Sequence, residues 1–418
     1  MDKFNSRLQR VLETAYNEVP YFNNLINDYI ESTDELKPEL IHRLPVFNKR
    51  TILDIGWENF VSGNYLNESY ELRLRGKARL ERTSGTTGNP MKILWNNSDF
   101  FSSNMNHWKY RSKNFNITPN SRMCTSSKTI PGDDVFYVDP RSNKITFSIR
   151  ELNQDTVKRI LEKMNESQPE WLYLQNSILF VLVYFARQNG WDFPSSIRYI
   201  EYIGEPLCDY YRKEIAKMIP APSSNMYGCV ETNGISYECN AGKNHLLPDN
   251  VMVEIVDTDG TPLPDGKTGY VCVTGLHNTA MPMLRYRLND LASIHSNHVC
   301  ACGNPNPTID IKAGRMTEFI ILDDPSVYSE SALYCPINSG LSISTPRHDD
   351  ILFNIKLNAL DDYEIQVYQQ PNKDIDIQKL LGELFRAYSL PNVRFTVTYS
   401  ASVDRSKPSG LLRMRGAT

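Results

Sequence analysis

The chain lacks a long hydrophobic run. Its longest apolar stretch, Ile178 to Ala186, is interrupted by Tyr184 and falls far short of the roughly 20 residues that a membrane helix needs. A basic start followed by an apolar segment is also missing, so no secretory leader is expected. Together these absences point to a cytoplasmic protein with no membrane partner. Charge of one sign is scarce as well. Lys and Arg number 45 against 49 Asp and Glu, a net charge of −4. Basic runs such as Lys158-Arg159 are short solvated faces, so no nucleic-acid partner is expected. There is no internal repeat and no low-complexity tract. The G-x-x-x-x-G-K-[ST] order of a Walker loop is absent too.

What is present is an ordinary globular composition, 40% hydrophobic and 22% charged, over 418 residues. That length suggests two domains, or one large domain with an appendage. Eight cysteines in such a chain are not a disulfide framework. Cys124, Cys208, Cys229 and Cys335 are scattered singly and suit small core positions, and Cys272 lies in an apolar strand-like run. Cys239, Cys300 and Cys302 stand apart from these.

The pattern of elements predicts an α/β fold. Leu8, Val11, Leu12, Ala15 and Tyr16 follow helical spacing, and the helix stops at Val19-Pro20. A second helix is expected over Phe22 to Glu31 and a short one over Asn48 to Gly56. Between about 80 and 280, helices at Asp155 to Glu166 and Ser177 to Gln188 alternate with strand-like runs. Those runs are Trp171 to Leu174, Ile197 to Ile203 and Ser224 to Tyr227. Such alternation argues for layered α/β structure with parallel pairs. From Asn250 the text becomes β-rich: a strand from Val251, a turn at Asp257 to Gly260, and a strand at Tyr270 to Thr274. Beyond Gly314, a strand at Phe319 to Leu322, a hairpin over Asn354 to Asn358 and Tyr363 to Tyr368, a helix at Asp376 to Ala387 and a strand at Val393 to Thr398 make a small α+β unit. The expected division is a large domain over 1–314, its β-rich part about 250–314, and a small mobile domain over 315–418, joined by a hinge.

The most informative stretch is Thr83-Ser84-Gly85-Thr86-Thr87-Gly88-Asn89-Pro90, followed by Lys92. Glycine permits positive φ and turns backbone N–H groups inward, and the hydroxyls add donors, so such a loop can wrap a polyphosphate. An exposed linker of small polar residues has the same composition.

The string from Thr83 to Gly88, with Pro90, resembles the signature loop of the adenylate-forming superfamily of acyl- and aryl-CoA ligases and adenylation domains. Ala15 to Tyr21 and Leu44-Pro45-Val46 resemble the phenylacetate–CoA ligase branch in particular. Further matches follow in order. Ile203-Gly204-Glu205-Pro206-Leu207 is similar to the family's adenine and acyl-pocket segment. Tyr227-Gly228-Cys229-Val230-Glu231 resembles its aromatic-Gly-x-x-Glu motif, where the aromatic packs on adenine and the glutamate helps to hold Mg²⁺. Arg285 to Asp290 resembles the segment whose aspartate grips the ribose, a task suited to a carboxylate that accepts two hydrogen bonds. Gly314-Arg315 resembles the hinge, its arginine reaching ribose or phosphate.

The resemblance implies that a carboxylic acid attacks the α-phosphorus of ATP to give an acyl-AMP, which passes to an acceptor, first of all CoA. A carrier protein or an amine is the alternative acceptor, and a nucleotide- or acyl-binding homologue without full turnover is the alternative of another class. Thr83, Ser84, Thr86, Thr87 and Lys92 are the expected phosphate contacts and Glu231 the Mg²⁺ contact. Phe136 and Tyr137 resemble the lining of an aryl pocket and would favour an aryl or arylalkyl acid by stacking; as plain core residues they would look the same. Relatives in this branch are commonly dimers. They also often carry cysteines near Cys239-x5-His245 and Cys300-x-Cys302. Three thiolates and one imidazole make a closed tetrahedral set for structural zinc, although the spacing is not a standard finger pattern. Incidental cysteines, or His295 or His298 as the imidazole, are the alternatives.

One departure stands out. The family's C-terminal lysine follows a glycine, whereas here Leu411 follows Gly410. Lys407, ahead of Arg413, is the preferred substitute. Replacing Lys407 with alanine is expected to cut pyrophosphate exchange strongly while acyl-AMP consumption changes less; unchanged exchange removes Lys407 from the reaction.

Overall fold

The computed structural model describes residues 3–66, 69–83, 91–127, 130–132, 135–140, 142, 144–150, 152, 154–204, 207, 209–297, 299–315, 319–321, 327–329, 353–359, 362–367, 376–387, 394–399 and 412–414. Helices α1 (Lys3–Glu18), α2 (Pro20–Asn27), α3 (Lys49–Ile55), α4 (Gly63–Leu66) and α5 (Ser69–Leu74) come first. Strands β1 (Ala78–Arg82) and β2 (Lys92–Asn96) follow, then helix α6 (Asn97–Phe115). The middle of the chain runs β3 (Met123–Ser127), β4 (Phe136–Val138), β5 (Lys144–Ser148), α7 (Gln154–Ser167), β6 (Trp171–Leu174), α8 (Asn176–Asn189), β7 (Tyr199–Ile203) and α9 (Asp209–Met218). A run of strands succeeds it: β8 (Ser223–Cys229), β9 (Asn233–Glu238), β10 (Asn244–Leu246), β11 (Val251–Val256), β12 (Gly269–Gly275), β13 (Tyr286–His295) and β14 (Thr308–Arg315). The last segment holds β15 (Phe319–Ile321), β16 (Val327–Ser329), β17 (Phe353–Ala359), β18 (Asp362–Val367), α10 (Ile377–Ala387), β19 (Arg394–Tyr399) and β20 (Leu412–Met414). Among the described residues, no helix is long and apolar enough to cross a membrane.

Contacts gather the chain into two compact units. One comprises Met1–Asn116 and Ser224–Lys312; the other comprises Ile117–Ser223 and Ala313–Thr418. In the second unit the strand order is β7-β6-β3-β5-β4, with parallel β3/β5, β3/β6 and β6/β7 pairs and β4 antiparallel at the edge. This is the layered α/β arrangement with parallel pairs that the alternating pattern predicts. Strand β6 is almost wholly buried, as are Leu179 to Val183 of α8, so both read as continuous apolar runs rather than amphipathic ones. The same core takes in Ile365 and Val367 of β18 and Ile377 and Leu381 of α10. The hairpin expected near 354–368 is β17 and β18, antiparallel from Phe353↔Val367 onward.

In the first unit the order is β11-β12-β13-β14-β10-β9-β8, with β1/β2 a separate hairpin. Helix α1 buries Leu8, Val11, Leu12 and Ala15 and stops before Pro20, which starts α2. Helix α3 begins at Asn48, whose side chain accepts from the Arg50 and Thr51 N–H groups in a capping box. Helix α2 ends at Asn27, four residues before the expected Glu31. Its last turn tightens into Asp28 N–H to Leu25 O and Tyr29 N–H to Ile26 O bonds, and the Arg43 guanidinium takes Tyr29 O.

Helix α6 has no counterpart in the apolar periodicity, for a physical reason. The residues it buries are Asp99, Ser103, His107 and Arg111, spaced four apart. Asp99 accepts from the Thr279 N–H at 3.1 Å and hydroxyl at 2.5 Å and faces Arg10 at 3.5 Å. Ser103 accepts from the Asn233 amide. His107 lies against Gly234, where an added Cβ would come within 1.8 Å of Nε2. Gly234→Ala is therefore expected to destabilise the protein by about 1–3 kcal/mol through overpacking. Chemical denaturation of the single and double variants checks this: the alanine should cost less in a His107→Ala background, because the obstacle is a side chain.

Candidate functional site

Strands β1 and β2 form the base of the glycine- and hydroxyl-rich loop, in register from Ala78↔Asn96 to Arg82↔Lys92. Thr83 closes that base. Its N–H donates to Met91 O at 2.9 Å, and its Oγ1 accepts from Met91 N–H at 2.9 Å. Ser84, Gly85, Thr86, Thr87 and Gly88 lie outside the described residues, as do Glu205, Pro206 and Lys407. Lys92 is exposed, its ammonium 5.5 Å from the Trp57 ring centroid. In the other unit, Gly204 follows β7 at φ +75°, a left-handed value that favours glycine. Phe136 and Tyr137 are half-buried on β4. Arg315 closes β14, its side chain outside the described set.

The densest construction surrounds the β8–β9 turn. A Cβ on Gly228 would meet Asn233 O at 2.5 Å and Gly234 Cα at 2.9 Å, so the two strands touch backbone to backbone. The register shifts between Tyr227↔Ser236 and Gly228↔Gly234, an irregularity of the kind that re-aims side chains. Asn233 takes φ +65°. Around this turn, Trp95 Nε1 donates to Val230 O at 3.0 Å, and the Asn250 amide donates to Thr232 O at 3.2 Å and Gly234 O at 2.5 Å. The turn is thereby held from several sides, and it carries Glu231, which is buried.

Strand β13 meets this turn with two side chains. The Tyr227 hydroxyl donates to Asp290 Oδ2 at 2.7 Å, and the Tyr286 hydroxyl donates to Glu231 Oε1 at 3.0 Å. Sequence reasoning named Tyr227, Glu231 and Asp290 but gave Tyr286 no role; the signal was the repeated four-residue step from tyrosine to carboxylate in both segments. Cys229 is no nucleophile here, because burial, then the charge of Glu231, push its thiol far up.

The cysteine–histidine residues also come together. The ligand atoms of Cys239, His245, Cys300 and Cys302 all lie within 4.8 Å of one another. Cys239 Sγ is 3.7 Å from Cys300 Sγ, and Cys302 Sγ is 3.3 Å from His245 Nε2. His245 Nδ1 is 2.8 Å from Asn306 O, the outer partner that orients a metal-binding imidazole. Burial raises the Cys239 thiol to about 11. The Cys302 N–H, then the His245 ring, lower Cys300 to about 6.

Residues 82–281 match the family model described as AMP-binding enzyme. The chain is 24% identical to a phenylacetate–coenzyme A ligase of Thermus thermophilus over 77% of its own length and 72% of that protein. It is also 24% identical to one of Escherichia coli over 69% of this chain and 65% of that one. A solved 2-hydroxyisobutyryl-CoA ligase in the postadenylation state superposes with a TM-score of 0.73 at 15% identity, covering 99% of this chain and 89% of that one. Residues 82–281 thus carry an AMP-binding enzyme domain, and over most of its length the chain is similar to phenylacetate–CoA ligases, in keeping with the motif order. For an adenylate-forming protein the donor chemistry at the turn is apt: Glu231 offers hard carboxylate oxygen, and Mg²⁺ is commonly held by one or two carboxylates plus phosphate oxygens. The Cys₃His group likewise offers the sulfur and nitrogen donors that zinc takes in closed structural sites.

Proton competition gives this second site a testable signature. Cys300 is a thiolate above about pH 6, so protons compete with a metal for it only below that value. Titrating metal-stripped protein with Co²⁺ should show the slope of log affinity against pH steepen by about one unit or more as pH falls through that point. A Cys300→Ser variant should lack the break.

Proposed function

We propose that this protein activates a carboxylic acid, aryl or arylalkyl in character, with Mg²⁺ and ATP as the acyl-AMP, and passes the acyl group to the thiol of CoA. The observation that carries this reading is the meeting of Tyr227, Glu231 and Asp290 at one turn. In the first step a carboxylate oxygen bonds to the α-phosphorus and pyrophosphate leaves. In the second a thiolate bonds to the acyl carbon of the mixed anhydride and AMP leaves with the bonding pair. Mg²⁺, when bound, neutralises charge on the phosphates.

The chain's own groups fall into matching roles. Asp290 accepts from the ribose hydroxyls, and Tyr227 lies along the adenine while its hydroxyl steadies Asp290. The loop from Ser84 to Gly88, with Thr83 at its base, supplies donors to the phosphates. Lys92, exposed over Trp57, is a further candidate contact for the phosphates. Gly204, Glu205 and Pro206, with the aromatic rings of Phe136 and Tyr137, are candidate contacts for the acid, and Gly228 is one for the nucleotide. Arg315 and Lys407 are the chain's candidates for contacting the nucleotide in the adenylation step. The partners of the reaction are thus small molecules. Cys239, His245, Cys300 and Cys302 hold one structural zinc.

Pyrophosphate exchange against a panel of phenylacetate, benzoate and short aliphatic acids tests the adenylation. At least one aryl or arylalkyl acid should support exchange, and adding CoA should then yield its thioester. ATP binding without exchange on any acid would sink the proposal. Metal analysis of purified protein should find about one zinc per chain, and none in a Cys239→Ser/Cys302→Ser variant.

A further inference from the structure

We infer that Tyr286 is a positioning residue for Glu231: it sets the carboxylate that serves the ATP-bound cation, and does so without neutralising it. This rests on the assignment of Glu231 to Mg²⁺ made above. Tyr286 and Glu231 are 3% and 6% exposed, and the phenol donates to Oε1 at 3.0 Å. A carboxylate has two oxygens and about four acceptor positions. A phenol satisfies one of them and fixes the rotamer while leaving the anionic charge in place. A guanidinium or ammonium in that position would add a positive charge beside the cation site. Ligating carboxylates are regularly held by such an outer hydrogen bond.

Tyr286 is itself firmly seated. Phe47 N–H donates to Arg285 O at 3.3 Å and Arg287 N–H donates to Phe47 O at 2.8 Å, so the backbone on both sides of Tyr286 is bridged to Phe47. The two rings meet edge-on at 5.3 Å and 60°. The preceding residue, Arg285, takes φ +54° and is buried. Its guanidinium donates to Glu254 Oε2 at 3.1 Å, to Gly260 O at 2.9 Å and to Leu44 O. A non-glycine residue in that region persists only where its surroundings over-determine it. The consequence is a phenol whose hydroxyl has little freedom to leave Glu231.

The geometry is also reciprocal. The β8 segment supplies a tyrosine at 227 and a carboxylate at 231; β13 supplies a tyrosine at 286 and a carboxylate at 290. Each tyrosine serves the carboxylate of the other segment. Between Arg287 and Leu291, β13 advances four residues while β12 advances two, from Cys272 to Tyr270. The extra residues fall between Arg287 and Leu291, the stretch that carries Asp290, and an irregularity of this kind re-aims side chains.

The test measures ATP binding, without any acid, at a series of free Mg²⁺ concentrations. Wild type, Tyr286→Phe, Glu231→Gln and the double variant are compared, with thermal unfolding as the check on folding. Phenylalanine keeps the ring against Phe47 and removes only the hydroxyl. Tyr286→Phe should raise the Mg²⁺ midpoint about 10- to 100-fold, the scale of a lost hydrogen bond to a charged group. ATP affinity without Mg²⁺ should change less than about twofold, so the loss should emerge only as Mg²⁺ is added. Glu231→Gln should shift the midpoint at least as far, and the double variant should match Glu231→Gln alone. Phe47→Leu, which loosens the seat of Tyr286, should shift the midpoint in the same direction by less. A shifted Glu231→Gln beside an unshifted Tyr286→Phe overturns the positioning role, as do additive effects in the double variant or an equal loss of affinity at every Mg²⁺ level. If neither variant shifts the midpoint, the assignment of Glu231 to the cation fails, and the inference with it.

Discussion

Gly228 comes so close to Asn233 and Gly234 that a side chain at 228 has no room, and His107 fills the space that one at 234 would need. Much of the site's geometry follows from that approach. Because the strands touch, the turn from Cys229 to Thr232 is short and strongly bent, and it can be gripped from outside by Trp95, Asn250 and Ser103. Glu231 rides on that turn, so its direction is decided by the backbone and its neighbours rather than by its own flexible chain. Helix α6 serves the same end: its buried Ser103 and His107 face Asn233 and Gly234 of the hairpin.

Two kinds of carboxylate partnership coexist in the first unit. Glu254 and Asp99 take guanidinium partners, Arg285 at 3.1 Å and Arg10 at 3.5 Å. Glu231 and Asp290 take phenol donors. The first kind balances charge where charge has no further use, and a buried pair of that sort is costly to break. The second kind gives direction without bringing a positive charge of its own.

Much of this was legible in the residues. The parallel α/β layers, α1 with its stop at Pro20, the strand at Trp171 and the β17–β18 hairpin all follow from periodicity and turn chemistry, because in those places apolar burial decides the structure. Helix α6 was invisible for the opposite reason: Asp99, Ser103, His107 and Arg111 make a buried stripe that periodicity counts as surface. Tyr227, Glu231 and Asp290 were singled out through motif order, yet Tyr286, four residues before Asp290, was passed over within the segment that ends in the aspartate. Its role depends on a contact with a residue 55 positions away, and no local pattern encodes such a pairing. The cysteine–histidine group was singled out from donor chemistry and from the family resemblance, since its spacing matches no standard pattern.

The Cys₃His group closes a long excursion of the chain. Cys239 and His245 stand at its start and Cys300 and Cys302 at its end, and between them run β11, β12 and β13 with Tyr286 and Asp290. A metal ion there would act as a clasp: it would shrink the conformational space of the unfolded segment more than that of the folded one, as any cross-link across a long loop does. The segment that presents the two β13 side chains would then be tied at both ends by a group that takes no part in chemistry. In topological terms, β13 would hang from a buckle, and the accuracy with which it presents Tyr286 and Asp290 would depend partly on the strength of that fastening.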